Sequence, residues 1–394
     1  MNVAIVGCGY VAEFYGRTLS NYPHLTLVGA YDNNPNHLRA FVARWPGRAY
    51  ASLADVLQDA SVELVINLTN PRAHFEINRA CLEAGKHVYS EKPLAMTTAD
   101  ATALVDLAAA RQRYLGSAPC SVLSETAQTL WKAVRDGAIG QVRVVYANFD
   151  DGMIAPRMAP WQWKNDSGVP WPAKDEFEVG CTFEHAGYVL TWLAAMLGPA
   201  LRMQAFASCL IPDKGIAVDG MAPDFTVGGI EYANGVAARV TCGLVAPRDK
   251  SITVVGDAGV LFVGNVRDDG GPVMLRPSAM GPWQSRLAGR ARSLHRWLEA
   301  RVPVPGADVL FSRRLPLVRP VAGRMSAPGK PVDFCRGPAE LADAAGEQRA
   351  SRLDGALGAH IVEIVERLQY PERFAGSERL TTTFAPIAPM PWAC

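Results

Sequence analysis

Three small residues near the start of the chain have the spacing of a phosphate-binding turn. The apolar run Asn2–Val6 leads into Gly7, Gly9 and Ala12, and a helical pattern follows. In such a turn Gly7 permits the tight reversal, Gly9 lets a pyrophosphate approach the backbone, and Ala12 lets helix and strand pack closely. The first N–H groups of the helix then point at the phosphates. A plain strand–turn–helix is the alternative, but the strand before and the helix after favour a dinucleotide site.

Asp32 follows a second apolar strand, which spans residues 25–31. A carboxylate at that point can accept hydrogen bonds from the ribose hydroxyls of the adenosine. It also repels a 2′-phosphate, and Asn33 follows where an NADP site often has arginine. The sequence therefore predicts NAD as the cofactor in preference to NADP.

Strand and helix patterns alternate over roughly the first 115 residues, which predicts an α/β fold with a doubly wound parallel sheet. The nearly continuous apolar run at 62–68 is typical of a buried parallel strand. Ligands of such sheets bind beyond the carboxyl ends of the strands. We therefore expect Gly7, Asp32, Thr69 and Lys92 to meet at one edge.

The glycine turn and a second segment together resemble the glucose-fructose oxidoreductase / inositol dehydrogenase / MocA family. The second segment runs from Ala84 to Ala95 and contains Glu91-Lys92-Pro93, the most specific mark of the resemblance. The resemblance implies an NAD(P)-binding Rossmann domain over residues 1–118. It also implies a C-terminal α+β domain over residues 119–394, with a large, open, mostly antiparallel sheet. Residues 266–332 are the one segment without a match.

The turn, the strand ends and the resemblance together predict a set of cofactor contacts. Two of them are ambiguous, because His74 fits the nicotinamide ribose, a cap or the core, and Glu91 is expected to hold its loop. The set comprises Gly7, Gly9, Tyr10, Val11, Asp32, Asn33, Thr69, Asn70, Pro71, His74, Glu91 and Lys92.

Lys92 is the first catalytic candidate. The resemblance implies that it contacts both the substrate hydroxyl and the cofactor. The positive charge of an oxidised nicotinamide and partial burial both lower the pKa of a lysine, which suits it to proton transfer. The alternative is a solvated lysine beside Pro93.

A second catalytic stretch contains Glu184, Tyr188 and Thr191, whose spacing places them on one face of a helix. Polar groups in an otherwise apolar helix are costly unless they face a site or find partners. Family members commonly have Gly-x-x-x-Asp-x-Gly-x-His here. Glu184 falls at the Asp position and Tyr188 at the His position, so this chain departs from the pattern twice.

Two residues compete for the proton-relay role of the missing histidine. Tyrosine at that position is a known variant of the family, and a nearby cation could lower the pKa of the phenol. His185 lies about 100° further round the helix and could substitute if the helix is rotated. We prefer Tyr188. Glu184 has one methylene more than the aspartate of the family pattern, so the sequence does not fix how it contacts its partner.

A tryptophan-rich loop at 156–172 contains Trp161, Trp163 and Trp171. One or two of these indoles, with Trp161 and Trp163 the candidates, could stack on a sugar face. They could equally fill the base of a long loop, and the sequence does not separate the two.

Composition narrows the class of protein. The 394 residues carry a formal net charge of +1 and are 49 % hydrophobic, which fits a globular chain of two domains without a bias towards nucleic acid. We expect no membrane span, because no apolar run approaches about 20 residues. No signal peptide is visible. The eight cysteines are scattered without a Cys-x-x-Cys pair, so we expect no metal site and a cytoplasmic location.

Alternating strand patterns fill the middle of the chain, at 201–210, 225–232, 235–244 and 251–255. Asn234-Gly235 is a strong hairpin signal. Successive antiparallel strands predict an open sheet whose exposed face must be covered. A homodimer or homotetramer is the expected solution.

Residues 266–332 hold twelve Lys or Arg against four Asp or Glu. Apolar residues at 287, 291, 294 and 298 predict a helix decorated with arginines. We interpret it as a solvated helix packed on its own domain or on a subunit interface. The alternatives are a clamp for an anionic substrate such as a sugar nucleotide and a helix that lies on a membrane surface.

These features predict an NAD(H)-dependent oxidoreductase. Its hydride would pass between the nicotinamide and a secondary alcohol of a sugar, cyclic polyol or sugar nucleotide. Lys92 and Tyr188 would handle the hydroxyl proton and Glu184 would orient one of them. Two alternatives stay open: a redox-neutral NAD-dependent glycosidase or lyase of the same family, and a non-catalytic NAD-binding regulator, against which the intact Lys92 argues.

Overall fold

The structure is a computed structural model that describes residues 1–153, 163–278, 312–319 and 332–394. Two sheets organise these residues, one parallel and one mostly antiparallel. Trp161 and the arginine-decorated helix expected around 287–298 lie outside the described residues.

The first sheet is wholly parallel, as the alternating pattern predicts. Its strands run in the order β3-β2-β1-β4-β5-β6, so the chain reverses direction across the sheet between β1 and β4. That reversal is where ligands bind in doubly wound sheets. The strands are β1 (Asn2–Val6), β2 (Thr26–Tyr31), β3 (Arg48–Ala49), β4 (Leu64–Asn67), β5 (His87–Ser90) and β6 (Leu115–Ser117).

Helices connect these strands, and side-chain caps fix several of their starts. Asn34, Ser52 and Thr97 each accept a hydrogen bond from a backbone N–H in the first turn that follows. The helices are α1 (Ala12–Leu19), α2 (Pro35–Arg44), α3 (Leu53–Gln58), α4 (His74–Glu83) and α5 (Thr98–Ala110). Short 3₁₀ turns follow at Pro71–Ala73 and Ser121–Leu123.

The second sheet has the order β14-β13-β12-β11-β7-β10-β9-β8 within the described part of the chain. Only the β7–β10 pair is parallel there. Its last two strands fall inside the segment 266–332, so part of that segment extends the sheet. The strands are β7 (Val142–Asp150), β8 (Ala200–Ser208), β9 (Phe225–Tyr232), β10 (Ala237–Gly243), β11 (Ile252–Gly256), β12 (Gly259–Val263), β13 (Val273–Pro277) and β14 (Arg313–Arg314).

One face of this sheet is covered by helices, and Phe149 of β7 and Trp192 are buried between the layers. The last long helix, α11 (Gly355–Gln369), contacts α5 of the first layer and β8 of the second sheet, so it joins the two halves. The other helices are α6 (Glu125–Arg135), α7 (Ala173–Val179), α8 (Cys181–His185), α9 (Gly187–Leu197) and α10 (Arg336–Gly346). Short 3₁₀ turns lie at Pro371–Phe374 and Pro391–Ala393.

Two negative findings apply to the described residues. None of their helices is both long and apolar enough to cross a membrane. They also contain no group of three or more His, Cys, Asp or Glu arranged to hold a metal ion.

Candidate active site

A cleft of about 550 Å³ runs along the carboxyl edge of the parallel sheet. This lies within the range of roughly 300–1000 Å³ that is usual for small-molecule and cofactor pockets. The ends of β1, β2, β4 and β5 all contribute to it, as the strand alternation predicts. Of the residues predicted from sequence, the cleft is lined by Gly7, Gly9, Tyr10, Val11, Asp32, Asn33, Thr69, Asn70, Pro71, Glu91, Lys92 and Glu184.

The glycine turn has the backbone that phosphate binding requires. Gly7 has a φ of +95°, and its N–H donates to the carbonyl of Tyr31 at 2.8 Å. The space beside Gly9 is open, because an added Cβ would meet nothing within 4 Å. No described side chain caps the start of α1, so its first N–H groups are available to a ligand phosphate.

Two alanine substitutions separate the roles of these glycines. In Gly7→Ala the new Cβ would lie 2.6 Å from the carbonyl carbon and oxygen of Leu68, at a φ that alanine rarely adopts. We expect the free energy of unfolding to fall by about 2 kcal/mol or more, measured by denaturant unfolding without cofactor.

Gly9→Ala is the matched control for stability and the test for binding. We expect unchanged unfolding, because the added methyl contacts no protein atom. NAD affinity, measured by calorimetry, should fall by at least about tenfold because the methyl occupies the space that the pyrophosphate needs. Wild-type affinity in Gly9→Ala would contradict the assignment of this turn.

Asp32 faces the cleft and also ties the turn to β2. Its Oδ2 accepts the N–H of Cys8 at 2.5 Å, and its Oδ1 accepts the N–H of Asn34 at 2.7 Å. Each carboxylate oxygen has a second lone pair, so these bonds leave acceptors for ribose hydroxyls. This tie between the glycine turn and β2 has no signal in the sequence.

His74 is fully buried and is absent from the residues that line the cleft. Its ring nitrogens lie 2.6 Å from the carbonyl oxygen of Pro93 and 3.0 Å from that of Thr69. Burial lowers the pKa of His74, and a neutral imidazole can donate to only one of these two carbonyls. The sequence left three environments open for His74: the nicotinamide ribose, a cap and the core. The structure places it in the core, where it links the segments that follow β4 and β5.

The loop after β5 presents Lys92 to the cleft, and Glu91 holds that loop. The hydroxyl of Tyr15 donates to Glu91 Oε1 at 2.8 Å, and the N–H of Lys92 donates to Oε2 at 2.9 Å. The Lys92–Pro93 peptide bond is cis.

Lys92 forms an ion pair with Glu184 across the two halves of the molecule. Its Nζ donates to Glu184 Oε2, and the side chains are 19 % and 5 % exposed. Burial disfavours the charge on Lys92, but Glu184, Glu176 and Glu91 outweigh it and raise its pKa. The prediction of a lowered pKa is therefore wrong for the protein alone, because it did not count the carboxylates.

Glu176 of α7 is a site residue that the sequence analysis missed. It lines the same cleft as Lys92 and Glu184. Burial and the charge of Glu184 raise its pKa, against the opposing charge of Lys92. The acidic run Asp175-Glu176-Phe177-Glu178 carries no local signal that distinguishes Glu176 from its neighbours.

Tyr188 lies against Phe149 and Arg267. Its ring stacks on Phe149 with centroids 5.2 Å apart and planes 19° apart, and the Cζ of Arg267 lies 4.8 Å from its centroid. Burial raises the pKa of Tyr188, although the charges of Arg267 and Lys92 act to lower it. Cations lie near Tyr188 as predicted, but burial outweighs them, so the net shift of the pKa is upward and not downward.

His185 packs on Phe149, the same ring on which Tyr188 stacks. Its ring lies 5.0 Å from that of Phe149, and its Nδ1 lies 3.4 Å from Asp151 Oδ2 without a hydrogen-bond partner. Burial lowers the pKa of His185 to about 3, despite the opposing charge of Asp151. The imidazole is therefore neutral at physiological pH.

The helical segment that carries these residues is interrupted, because α8 ends at His185 and α9 begins at Gly187. Thr191 donates its hydroxyl to the carbonyl of Gly187 at 3.0 Å and lines a small cavity that also includes Lys92. Glu184 therefore pairs with Lys92 while Thr191 lines a cavity beside it, and the two residues do not share one unbroken helix.

The two described tryptophans of the loop at 156–172, Trp163 and Trp171, pack on each other and on the rest of the protein. Trp163 lies 5.0 Å from Trp171, which lies 5.8 Å from Phe177 in an edge-to-face contact. Both indoles are partly buried against the main core. This packing favours the role of filling the base of the loop.

The cleft fits a dinucleotide on its own geometry: an open glycine turn, an uncapped helix start and a carboxylate at the end of β2. Comparison with known families agrees. Residues 1–118 match the model described as "Oxidoreductase family, NAD-binding Rossmann fold", and residues 127–262 match the GFO/IDH/MocA C-terminal domain. The chain belongs to the glucose-fructose oxidoreductase / inositol dehydrogenase / MocA family and is an NAD-binding oxidoreductase.

Three similar proteins illustrate the breadth of that family. The mouse (Mus musculus) trans-1,2-dihydrobenzene-1,2-diol dehydrogenase is 26 % identical over 262 residues, which are 65 % of this chain and 72 % of that protein. Myo-inositol 2-dehydrogenase of Thermotoga maritima is 24 % identical over 271 residues, 68 % and 76 % of the two chains. The fold is similar to levoglucosan dehydrogenase solved with NADH and levoglucosan, with a TM-score of 0.73 and 17 % identity over 96 % of this chain and 98 % of that one.

Proposed function

We propose that this protein is a dehydrogenase that moves a hydride between NAD and a secondary alcohol or ketone carbon of a sugar, cyclic polyol or sugar nucleotide. The observation that carries the proposal is the Lys92–Glu184 pair at the lip of the cofactor cleft. A charged lysine there can bind and polarise the reacting oxygen. The relatives named above act on ring alcohols by their printed names, which supports this substrate class.

Bound NAD would supply the hydride acceptor, and the chain's own residues would bind the alcohol and remove its proton. Lys92 is protonated because its pKa is raised, so it must release a proton before it can accept one. Glu184 Oε2, which already accepts a hydrogen bond from Lys92, is the nearest base. The hydroxyl proton would pass to Lys92 as Lys92 passes its own to Glu184. Tyr188, close enough to feel the charge of Lys92, would hold the same oxygen, and His185 is the second candidate for that role.

We propose that Asp32 selects NAD over NADP, because its carboxylate at the end of β2 repels a 2′-phosphate. Residues 1–118 would bind NAD and residues 119–394 would bind the substrate, as the sequence predicts. A cytoplasmic location remains our proposal from the scattered cysteines, seven of which are at least partly buried.

We also propose that the open face of the second sheet forms a homodimer or homotetramer. Strand register places Tyr146, Phe206 and Phe262 on that face, and their side chains are 38 %, 56 % and 42 % exposed. Aromatic side chains on one exposed face are typical of an interface.

Replacing Phe206 and Phe262 together by lysine should shift the protein to monomers in sedimentation velocity, because two charges would be desolvated at the contact. Ala109→Lys, on the exposed surface of α5, is the matched control and should leave the assembly unchanged. A wild-type monomer at micromolar concentration would contradict the proposal.

Absorbance at the NADH band tests the proposed activity. Purified protein is mixed with NAD or NADP and a panel of inositols, free sugars and nucleotide sugars. We expect a rise with NAD and one class of substrate. A flat trace from a protein that releases NAD only on denaturation would favour the redox-neutral glycosidase or lyase.

A further inference from the structure

A half-buried arginine beside Tyr188 has no role in the proposed proton transfer. Arg267 follows β12 and lies with its Cζ 4.8 Å from the centroid of the Tyr188 ring. Its charge reaches both Tyr188 and Tyr10, and Tyr10 lines the cofactor cleft. Arg267 therefore lies against Tyr188, which stacks on Phe149, and its charge also reaches the cofactor cleft.

Two of the three cations in this part of the molecule are paired with carboxylates. Lys250 forms an ion pair with Asp151 and lies 4.5 Å from the centroid of Phe149. Lys92 is paired with Glu184. Among the residues that the structure describes, Arg267 forms no ion pair with a carboxylate, so its guanidinium N–H groups are not held by one.

A second polar atom nearby makes no hydrogen bond. The Nδ1 of His185 is buried without one, although Asp151 Oδ2 lies 3.4 Å away, and the charge of Arg267 reaches this ring. A partly buried guanidinium loses hydration, and an anion that binds it recovers that free energy. Unsatisfied buried polar atoms are rare in folded proteins and require an explanation. A bound ligand is the explanation that covers both observations.

The kind of anion follows from charge and shape. The carboxylates of Asp151 and Glu184 nearby repel a phosphate ester, which carries nearly two charges at neutral pH, more strongly than they repel a monoanion. The planar fork of a guanidinium pairs with a carboxylate through two parallel hydrogen bonds. Lys250 is held by Asp151, so Arg267 is the group available to make this contact.

We propose that Arg267 binds a carboxylate on the substrate, so that the preferred substrates are sugar acids rather than neutral sugars. This inference rests on the proposed function, because it assigns the substrate class of the same site. Its test measures binding rather than turnover, so that the two can fail separately.

The experiment titrates the protein saturated with NADH, by calorimetry, with matched pairs of ligands. Glucuronate and galacturonate are compared with glucose and galactose, and glucose 6-phosphate is the dianionic comparison. We expect each acid to bind wild type at least about tenfold more tightly than its neutral parent, as a hydrogen-bonded charge pair provides. Arg267→Gln should remove the difference, and Arg267→Lys should keep part of it because the charge remains without the fork.

Arg143→Gln is the matched control, because Arg143 is an exposed arginine at the start of β7 that is paired with Asp257. It should leave the preference for acids unchanged. An acid that binds no better than its neutral parent, including the case in which neither binds, overturns the inference. So does tighter binding of the phosphate ester, or an acid preference that survives in Arg267→Gln. Arg267-dependent binding of acids without NADH formation would instead count against the proposed dehydrogenase.

Discussion

Replacing Lys92 by methionine is expected to lower kcat/KM by about a thousandfold, within the 10²- to 10⁴-fold range of positioned acid–base groups. Methionine keeps much of the side-chain volume and removes both the charge and the transferable proton. The Kd for NAD should change by less than about tenfold, or 1.4 kcal/mol. The glycine turn and Asp32, which would bind the adenosine and the pyrophosphate, remain in place in this variant. Steady-state kinetics and calorimetry with NAD measure the two quantities.

Loss of Lys92 also leaves the buried carboxylate of Glu184 without its cation. The single variant should therefore be less stable by about 1–3 kcal/mol. The double variant Lys92→Met/Glu184→Gln removes both charges and should recover stability without recovering activity. Lys132→Met, which removes an exposed lysine paired with Asp136, is the matched control and should keep full activity. Near-normal kcat/KM in Lys92→Met would remove Lys92 from the proton path.

The second large effect is expected in Asp32→Ser/Asn33→Arg. This variant should lose at least about 100-fold in kcat/KM with NAD, because two hydrogen bonds from ribose hydroxyls to a carboxylate would be lost at about 1.5–3 kcal/mol each. With NADP it should gain, because arginine can pair with the 2′-phosphate that the carboxylate repelled. Kinetics with both cofactors give the ratio directly.

Serine keeps a side-chain acceptor for the N–H groups of Cys8 and Asn34, which Asp32 now binds. Asn33→Arg alone is the control and should still prefer NAD, since Asp32 remains. A double variant with an unchanged NAD/NADP ratio would show that Asp32 acts only within the protein, as the tie between β2 and the glycine turn.

The parallel sheet and the cofactor cleft could be predicted because their signals are local. Gly7, Gly9 and Asp32 each follow a strand directly, and the carboxyl ends of parallel strands meet at one edge. Lys92 and Glu184, 92 positions apart, could be paired only through the family resemblance. The structure brings them into contact across the two halves of the molecule.

The surroundings of the site could not be predicted, because they depend on tertiary packing. Glu176, Phe149 and Arg267 come from a short helix, a strand and a loop with no shared motif. For the same reason, the directions of the pKa shifts of Tyr188 and of Lys92 in the protein alone could not be predicted. Their sign depends on how many carboxylates surround Lys92 and how deeply Tyr188 is buried, and neither quantity can be read from sequence.

The most direct test of the central claim follows a hydride from the substrate. The panel alcohols are supplied with deuterium on the carbinol carbon, and the cofactor recovered from wild type and from Lys92→Met is analysed by mass spectrometry. We predict that wild type transfers substrate deuterium to the nicotinamide ring, and that Lys92→Met does so about a thousand times more slowly. A cofactor that never acquires substrate deuterium, or equal transfer by the two proteins, would contradict the account.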